Sequence, residues 1–269
     1  MSKQRIDILL VEQGLFASRQ RAQAAIMAGQ VLVDNVVVDK AGAKVDGASD
    51  IRITGRTLAY VSRGGLKLEK AHRVFGLDFR DRVVADIGAS TGGFTDFCLQ
   101  NGARKVFAVD VGYGQLDWSL RQDPRVVVLE RTNGRYLDQD TLGEQVDAVV
   151  TDVSFISLTK MFPAIARILR PAGEVAALIK PQFEAGRDRV GKHGVVSDPQ
   201  VHRQVIRQVM AGALQEGLVP VGLDYSPIRG PRGNTEYLLH LVRDETGDRQ
   251  DKLDDRVVDQ VVAAAAGLK

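Results

Sequence analysis

The sequence predicts an α/β protein in which a small α+β domain precedes a larger, doubly wound parallel sheet. From about residue 62 to 243, short apolar runs alternate with helix-like segments, which is typical of a parallel sheet covered by helices. Residues 1 to about 60 show helical spacing followed by strand alternation instead. The chain's 27 glycines are clustered, and such clusters mark turns where the backbone approaches a neighbour or a ligand closely.

Composition limits the classes of function. The 269 residues are 44% hydrophobic and 26% charged, with 36 basic and 34 acidic side chains. Any nucleic-acid affinity must therefore come from local basic patches. A single cysteine, Cys98, excludes an intramolecular disulfide framework and a multi-cysteine metal site. The apolar runs are far shorter than the roughly 20 residues that span a bilayer, so we expect a cytoplasmic protein without a membrane partner.

The first domain is predicted as two helices followed by a small curled sheet. Apolar spacing over residues 6–10 and 19–27 predicts the helices, and Ser18 is a suitable N-cap for the second. Alternation over residues 31–38, around Asp34-Asn35, predicts a hairpin, and residues 51–53 predict a last strand.

The larger domain is predicted from its alternating elements. Predicted strands cover residues 83–87, 105–109, 126–129, 146–151, 175–179 and 237–242. Predicted helices cover residues 94–100, 116–121, 158–169 and 199–215. The tail after Asp244 is charged and then apolar, which predicts a C-terminal helix that packs back onto the domain.

A glycine-rich turn, Asp86-Ile-Gly-Ala-Ser-Thr-Gly-Gly-Phe94, follows the first strand of the larger domain and opens a helix. Such a turn lets the backbone approach a nucleoside cofactor. No Lys-Ser or Lys-Thr follows the glycines, so it is not a phosphate loop for nucleoside triphosphates.

Two acids next to this turn indicate which cofactor it holds. Asp86 would repel a pyrophosphate and attract the ammonium of a methionine group, and Asp110, ending the next strand, could accept both ribose hydroxyls. Together they favour S-adenosylmethionine over a dinucleotide, the alternative being a structural turn with incidental acids. The candidate cofactor-binding residues are Asp86, Gly88, Ser90, Thr91, Gly92, Gly93, Phe94, Asp110 and Asp152.

Two further strand ends carry candidate catalytic residues. Asp152 ends the fourth strand and Lys180 the fifth, and ligands of open parallel sheets bind at this edge. No Pro-Pro follows Asp152, which disfavours methylation of a base amino group, and Cys98 lies in a predicted helix, which disfavours cytosine C5 chemistry. The Lys180 amine could orient or deprotonate a hydroxyl. The alternative is a surface lysine with a buried stem.

The N-terminal motifs resemble a small RNA-binding domain, the one named after ribosomal small-subunit protein four. They are Arg5-Ile-Asp-x-Leu-Leu10, Ser18-Arg-x-x-Ala22 and Ile26-x-x-Gly-x-Val-x-Val-Asp34. The resemblance covers most of residues 5 to 53 and implies that the helix pair and the adjoining strand hold structured RNA. The candidate RNA contacts are Arg5, Arg19, Arg21, Gln30 and Arg63. Without the resemblance, an ordinary solvated helix face is the alternative.

Four residues of the larger domain resemble, in their order, the Lys-Asp-Lys-Glu tetrad of RNA ribose 2'-O-methyltransferases. They are Lys67, Asp152, Lys180 and Glu236. With the RNA-binding motifs, the chain from about residue 3 to 243 resembles the TlyA family of ribosomal RNA cytidine-2'-O-methyltransferases, which are also catalogued as hemolysins. The resemblance implies a Rossmann-like class I methyltransferase sheet, S-adenosylmethionine as cofactor, and ribosomal RNA or a ribosomal subunit as partner. We expect no metal, because the sequence shows no metal-ligand cluster and a sulfonium needs none to release its methyl group.

The resemblance also implies a division of the chain and a role for each tetrad residue. Residues 1–60 would bind RNA, residues 61–244 would catalyse, and residues 245–269 would form the tail. Lys180 would activate the hydroxyl, Asp152 would hold Lys180 and line the methyl path, and Lys67 and Glu236 would complete the charge network. The alternatives are a membrane-active hemolysin, for which no spanning segment is evident, and a non-catalytic RNA-binding protein, which the complete tetrad disfavours.

Overall fold

The computed structural model describes residues 3–16, 18–27, 29–34, 36–53, 59–244, 247 and 253–268. Asn35 of the predicted turn and most of residues 245–252 lie outside the described residues. The chain forms two compact units, residues 1–59 and 60–269.

The described residues of the first unit form two helices and two small sheets. Its elements are β1 (Lys3–Arg5), α1 (Ile6–Glu12), α2 (Arg19–Met27), β2 (Val31–Val33), β3 (Val36–Val37), β4 (Lys44–Asp46) and β5 (Ile51–Ile53). The Ser18 hydroxyl accepts a hydrogen bond from the Arg21 amide at 3.3 Å, which confirms the predicted cap. Strands β1 and β4 pair with each other but were not predicted, because three mostly polar residues show no alternation. The core lies between the helices and the sheet at Ile6, Leu10, Ile26 and Val31.

The second unit is built on a seven-stranded sheet of order β11-β12-β10-β9-β6-β7-β8. Its strands are β6 (Val83–Ile87), β7 (Lys105–Val109), β8 (Val126–Leu129), β9 (Val146–Thr151), β10 (Leu169–Ile179), β11 (Leu218–Tyr225) and β12 (Tyr237–Arg243). Its helices are α3 (Gly64–Phe75), α4 (Gly93–Gln100), α5 (Trp118–Arg121), α6 (Gln139–Leu142), α7 (Phe162–Ile168), α8 (Pro181–Glu184), α9 (Pro199–Gln215) and α10 (Asp255–Ala266).

The sheet is mixed rather than wholly parallel. Strands β6 to β10 pair in parallel, which confirms the doubly wound prediction for this part. The prediction is wrong for the far edge, where β12 runs antiparallel to β10 and β11 antiparallel to β12. Strand β11 escaped prediction because Pro220 and Gly222 interrupt its pattern, and the register with β12 shifts between them.

Alternation along the strands sends side chains to two cores, one on each face of the sheet. Val83 and Ile87 join the core under α7, α9 and α10, whereas Val84 joins the core that includes α3 and α4. Asp86 lies two positions after Val84 on β6, so its side chain points to the same face of the sheet, beneath α4.

The helix predicted over residues 158–169 is split. A 3-10 turn over Leu158–Lys160 precedes α7, and β10 begins at Leu169. Pro163 stands in the first turn of α7 and has no N–H with which to continue a helix from the preceding turn, so a new helix starts there.

The C-terminal helix α10 packs on α9 and β11. The Asp254 carboxylate accepts from the Val257 amide and caps this helix, and Val258, Val262 and Ala265 are buried. Among the residues that the structure describes, no helix is both long enough and apolar enough to cross a membrane.

Candidate active site

The turns after β6 and β9 meet at the carboxyl edge of the sheet. Gly88 has φ +86°, and a Cβ at this position would lie 3.1 Å from the Asp152 carbonyl oxygen. Because a side chain would be both strained and crowded here, glycine is what allows the two turns to approach each other.

A cavity of about 430 Å³ opens at this edge, within the size range of small-molecule sites. Gly88, Ser90, Asp110 and Asp152 line it, as the sequence predicted for a cofactor. Gln115 and Phe155, which were not predicted, line it as well.

Asp110 is held in place by the backbone. One carboxylate oxygen accepts from the Ser90 amide at 2.8 Å and the other from the Gly112 amide at 2.7 Å. A carboxylate has about four acceptor positions, so this fixed group keeps the capacity to accept from a ribose diol.

The structure corrects the prediction for Asp86. Its side chain is completely buried and does not line the cavity, because strand parity turns it under α4. The Thr95 hydroxyl donates to Oδ2 at 2.7 Å, and Oδ1 has no hydrogen-bond partner within the described chain. Burial raises the pKa of this carboxyl to about 7. Asp86 therefore supports the turn from below rather than meeting an ammonium group on the cavity wall.

The far half of the glycine-rich turn does not line the cavity: Gly92, Gly93 and Phe94 are buried in packing contacts, whereas Thr91 is exposed. The predicted cofactor residues concerned are Thr91, Gly92, Gly93 and Phe94. A Cβ on Gly93 would lie 2.3 Å from Ser62 Oγ and 2.9 Å from the Gly65 nitrogen, so this glycine lets α4 approach the start of α3. A Cβ on Gly92 would collide with Leu120 of α5 at 2.2 Å.

The four predicted catalytic residues form one continuous chain of ion pairs. Lys67 Nζ lies 3.1 Å from Asp152 Oδ2 and 2.8 Å from Glu236 Oε2. Lys180 Nζ lies 2.6 Å from Asp152 Oδ1, as an ion pair without hydrogen-bond alignment. The structure thus brings together a residue of α3, the residues that directly follow β9 and β10, and the residue that directly precedes β12.

Burial makes these pairs strong. Lys67 is 7% exposed and Glu236 is 1% exposed. Burial alone would lower the pKa of Lys67, but the carboxylates of Asp152 and Glu236 outweigh it and raise this pKa above its usual value. Burial would raise the pKa of Asp152, but the two lysines outweigh it and lower this pKa. Lys67 is therefore a firmly protonated cation and Asp152 a firmly ionised carboxylate.

Lys180 occupies the end of this chain. Its Nζ has one carboxylate partner, Asp152, and donates to the Ser154 hydroxyl at 2.8 Å. Lys67, in contrast, is enclosed between two carboxylates. Among the described residues, Lys180 thus faces one carboxylate and the neutral oxygens of Ser154 and of the Asp152 backbone, whereas Lys67 faces two carboxylates.

Sequence reasoning missed three residues around the tetrad. Gln182 Nε2 lies 3.5 Å from Glu236 Oε1, and its buried Oε1 has no partner among the described residues. Phe155 is 89% exposed at φ +64°, and its ring centroid lies 5.0 Å from that of Phe183. All three lie within three residues of Asp152 or Lys180, where an uncharged side chain carries no signal of its own.

In the first unit, two of the candidate RNA contacts, Arg5 and Arg19, form ion pairs within the unit itself. The buried Asp7 carboxylate pairs with Arg5 at 3.0 Å and with Arg19 at 2.8 Å, and it accepts from Gln23 at 2.7 Å. The Arg5 hydrogen bond is the largest influence that lowers the pKa of Asp7. The two arginine side chains remain 43% and 53% exposed, so each fixes the fold with one face and meets solvent with the other.

The other three candidate RNA contacts are also at least partly exposed to solvent. Arg21 and Gln30 are half-buried in the first unit, and Arg63 is exposed at the start of α3 in the second unit. The described residues contain no group of three or more histidine, cysteine, aspartate and glutamate side chains arranged to hold a metal ion.

The strand order, the cavity at the carboxyl edge and the buried tetrad define a Rossmann-like class I methyltransferase. The family model for FtsJ-like methyltransferases matches residues 60–243, and the model for the S4 domain matches residues 4–51. The chain therefore belongs to the TlyA family of FtsJ-like methyltransferases, with an S4 domain at its N-terminal end.

Two relatives and one solved structure illustrate this membership. YqxC of Bacillus subtilis is 48% identical over 264 residues, which is 98% of this chain and 94% of the relative. The 16S/23S rRNA (cytidine-2'-O)-methyltransferase TlyA of Mycobacterium tuberculosis is 46% identical over 88% of this chain and 89% of its own. A structure from Streptococcus thermophilus superposes with a TM-score of 0.78 at 46% identity, covering 99% of this chain and 96% of that one.

Proposed function

We propose that this protein transfers the methyl group of S-adenosylmethionine to the 2'-hydroxyl of a cytidine ribose in ribosomal RNA. The observation that carries the proposal is the buried ion-pair chain of Lys67, Asp152, Lys180 and Glu236 next to the cofactor-sized cavity. The M. tuberculosis relative is named for this reaction.

The cavity fits the adenosyl part of this cofactor. Asp110 would accept from the ribose hydroxyls, while Gly88 and Ser90 would place backbone against the nucleoside. Asp152 would border the methyl path. When bound, the sulfonium supplies an activated methyl carbon.

The chain's own residues would prepare the hydroxyl. A ribose hydroxyl is a weak nucleophile at neutral pH, and a positioned acid–base group contributes about 10²–10⁴-fold to such a step. Lys180, as a neutral amine, would accept the proton of the ribose hydroxyl, and the ammonium that forms would pair with Asp152. Asp152 would fix the Lys180 amine, and Lys67, kept charged by Asp152 and Glu236, would fix Asp152.

The first unit would bind the RNA. Arg5, Arg19, Arg21 and Gln30 would contact the phosphate backbone there, and Arg63 would do so from the second unit. We place the functional boundaries at residues 1–60 for RNA binding, 61–244 for catalysis and 245–269 for the tail. Ribosomal RNA, or a ribosomal subunit that contains it, would be the partner, and the cytoplasm the place of action.

One experiment tests the proposal directly. Ribose methylation would be mapped across ribosomal RNA from cells with and without the protein, and then reproduced with purified protein, labelled cofactor and isolated subunits. We expect a new 2'-O-methylcytidine in both. Methyl incorporation into a base, or none into any RNA or subunit, would refute it.

A relative from Brachyspira hyodysenteriae named Hemolysin A is 40% identical over 239 residues, so lysis is tested in parallel. Red cells would be incubated with the purified protein and the release of haemoglobin measured. We expect none.

A further inference from the structure

Two segments leave the carboxyl edge of the sheet side by side. The loop that begins at Asp152 runs to the 3-10 turn at Leu158, and the short helix α8 begins directly after Lys180. The ion pair between Asp152 and Lys180 joins them where they start.

Glu184, the last residue of α8, joins the same two segments at their far end. Its Oε2 accepts from the Ser157 hydroxyl at 2.6 Å, and its Oε1 accepts from the Leu158 amide at 2.7 Å. Ser157 in turn caps the 3-10 turn by accepting from the Thr159 amide at 3.2 Å. Burial raises the pKa of Glu184 even though both bonds oppose the shift.

The residues between these two ends also contact each other or the tetrad. The rings of Phe155 and Phe183 meet with centroids 5.0 Å apart. Gln182, on the same turn of α8, lies 3.5 Å from Glu236. A rotation of α8 would therefore move Lys180, Gln182 and the Phe183 ring together.

We infer that Glu184 is a positioning residue for methyl transfer, which holds α8 against the loop after Asp152 and thereby fixes the Lys180 amine relative to Asp152. This inference rests on the proposed function. Glu184 touches none of the tetrad atoms, and its hydrogen bonds reach only Ser157 and Leu158 in the described structure. Its effect on the reaction therefore passes through the loop after Asp152 and the position of Lys180.

The chemistry of the two bonds provides a sharp test. In Glu184→Gln, the amide oxygen can still accept from the Leu158 amide, and the amide nitrogen can donate to Ser157 Oγ, which then donates to Thr159 Oγ1, 2.7 Å away. Glu184→Ala loses both bonds. A glutamate needed for its charge or as a base would fail in both variants, whereas a positioning glutamate would be rescued by glutamine.

Single-turnover transfer would be measured with saturating RNA and cofactor, per molecule of protein that binds S-adenosylmethionine. We expect Glu184→Ala to lose roughly 10²-fold in rate, since a displacement of about 1 Å can cost that much. We expect Glu184→Gln to stay within about threefold of wild type, with cofactor and RNA affinity unchanged in both. Glu144→Ala is the matched control, because Glu144 pairs with Lys105 before the start of β9, at the opposite end of that strand.

A second readout needs no RNA. The Leu158 amide should exchange with solvent deuterium faster in Glu184→Ala and as slowly as in wild type in Glu184→Gln. Unchanged protection of Leu158, an undiminished rate in Glu184→Ala, or an equal loss in both variants would each overturn the inference. A wild-type protein that methylated no RNA would count against the proposed function instead, while the exchange result would still decide whether Glu184 holds the loop.

Discussion

Lys67 Nζ lies 2.8 Å from Glu236 Oε2, although 169 positions separate the two residues in the chain. The pair connects the second turn of α3 to the start of β12. Together with the pair between Lys67 and Asp152, it connects the first helix of the sheet domain to its last strand through ion pairs.

This buried pair should contribute to stability as well as to catalysis. Glu236→Ala removes one of the two carboxylates of a buried ammonium, and we expect the free energy of unfolding to fall by roughly 1–3 kcal/mol. The control is Glu144→Ala, which breaks a pair with Lys105 that is about one-third exposed and should cost at most about 1 kcal/mol. Urea denaturation of both variants measures the difference, and equal losses would contradict it.

Lys180 should govern turnover and not binding. Lys180→Ala and Lys180→Arg should both fold and bind S-adenosylmethionine, and both should lose about 10²–10⁴-fold in single-turnover rate. Arginine keeps the charge but does not readily release a proton. If Lys180→Ala stayed within a few-fold of wild type, Lys180 would have a structural role only.

Asp110 should govern cofactor affinity. Asp110→Ala leaves ribose hydroxyls without acceptors and frees the amides of Ser90 and Gly112, which should weaken binding by roughly 1–3 kcal/mol. Calorimetry with S-adenosylmethionine would compare this variant with Lys180→Ala, for which we expect little change. Equal affinity of Asp110→Ala and wild type would remove Asp110 from the cofactor site.

Asp7 should make the first unit sensitive to acid. The pKa of Asp7 is lower in the folded state than in the unfolded chain, where it is about 3.9. The ionised carboxylate therefore stabilises the fold at pH values above about 3.9, and this stabilisation is lost as the pH falls below that value. In Asp7→Asn this loss should vanish, because the variant is already destabilised at neutral pH. Unfolding of the first unit, followed by NMR between pH 7 and pH 2, checks both statements; an acid transition identical in wild type and variant would refute them.

Deletion of residues 1–59 should remove RNA binding from the protein while leaving the cofactor site intact. The remaining unit keeps the cavity and all four tetrad residues, so we expect unchanged S-adenosylmethionine binding and strongly weakened RNA binding. Filter binding and calorimetry on the truncated protein provide the two measurements. RNA methylation at full efficiency would show that the first unit is dispensable.

Much of the site could be predicted because residues that end parallel strands meet at one edge. Asp110, Asp152 and Lys180 each directly follow a strand that the apolar pattern located. The position of Asp86 could not be predicted in this way, because it depends on which face of the sheet the side chain points to. A sequence motif does not give that face. The pairing of Arg5 and Arg19 with Asp7 depends on how α1 packs on α2, and an isolated basic residue in a sequence does not reveal its partner.

The antiparallel course of β12 has a consequence for the order of synthesis. Its first residue, Tyr237, pairs with the last residue of β10, Ile179, so Glu236 joins the edge only once this late strand has paired. Until that segment has left the ribosome, Glu236 is not available to Lys67. A chain truncated before this strand lacks Glu236, so its tetrad is incomplete. In the proposed mechanism, catalytic competence is therefore among the last properties that the nascent protein acquires.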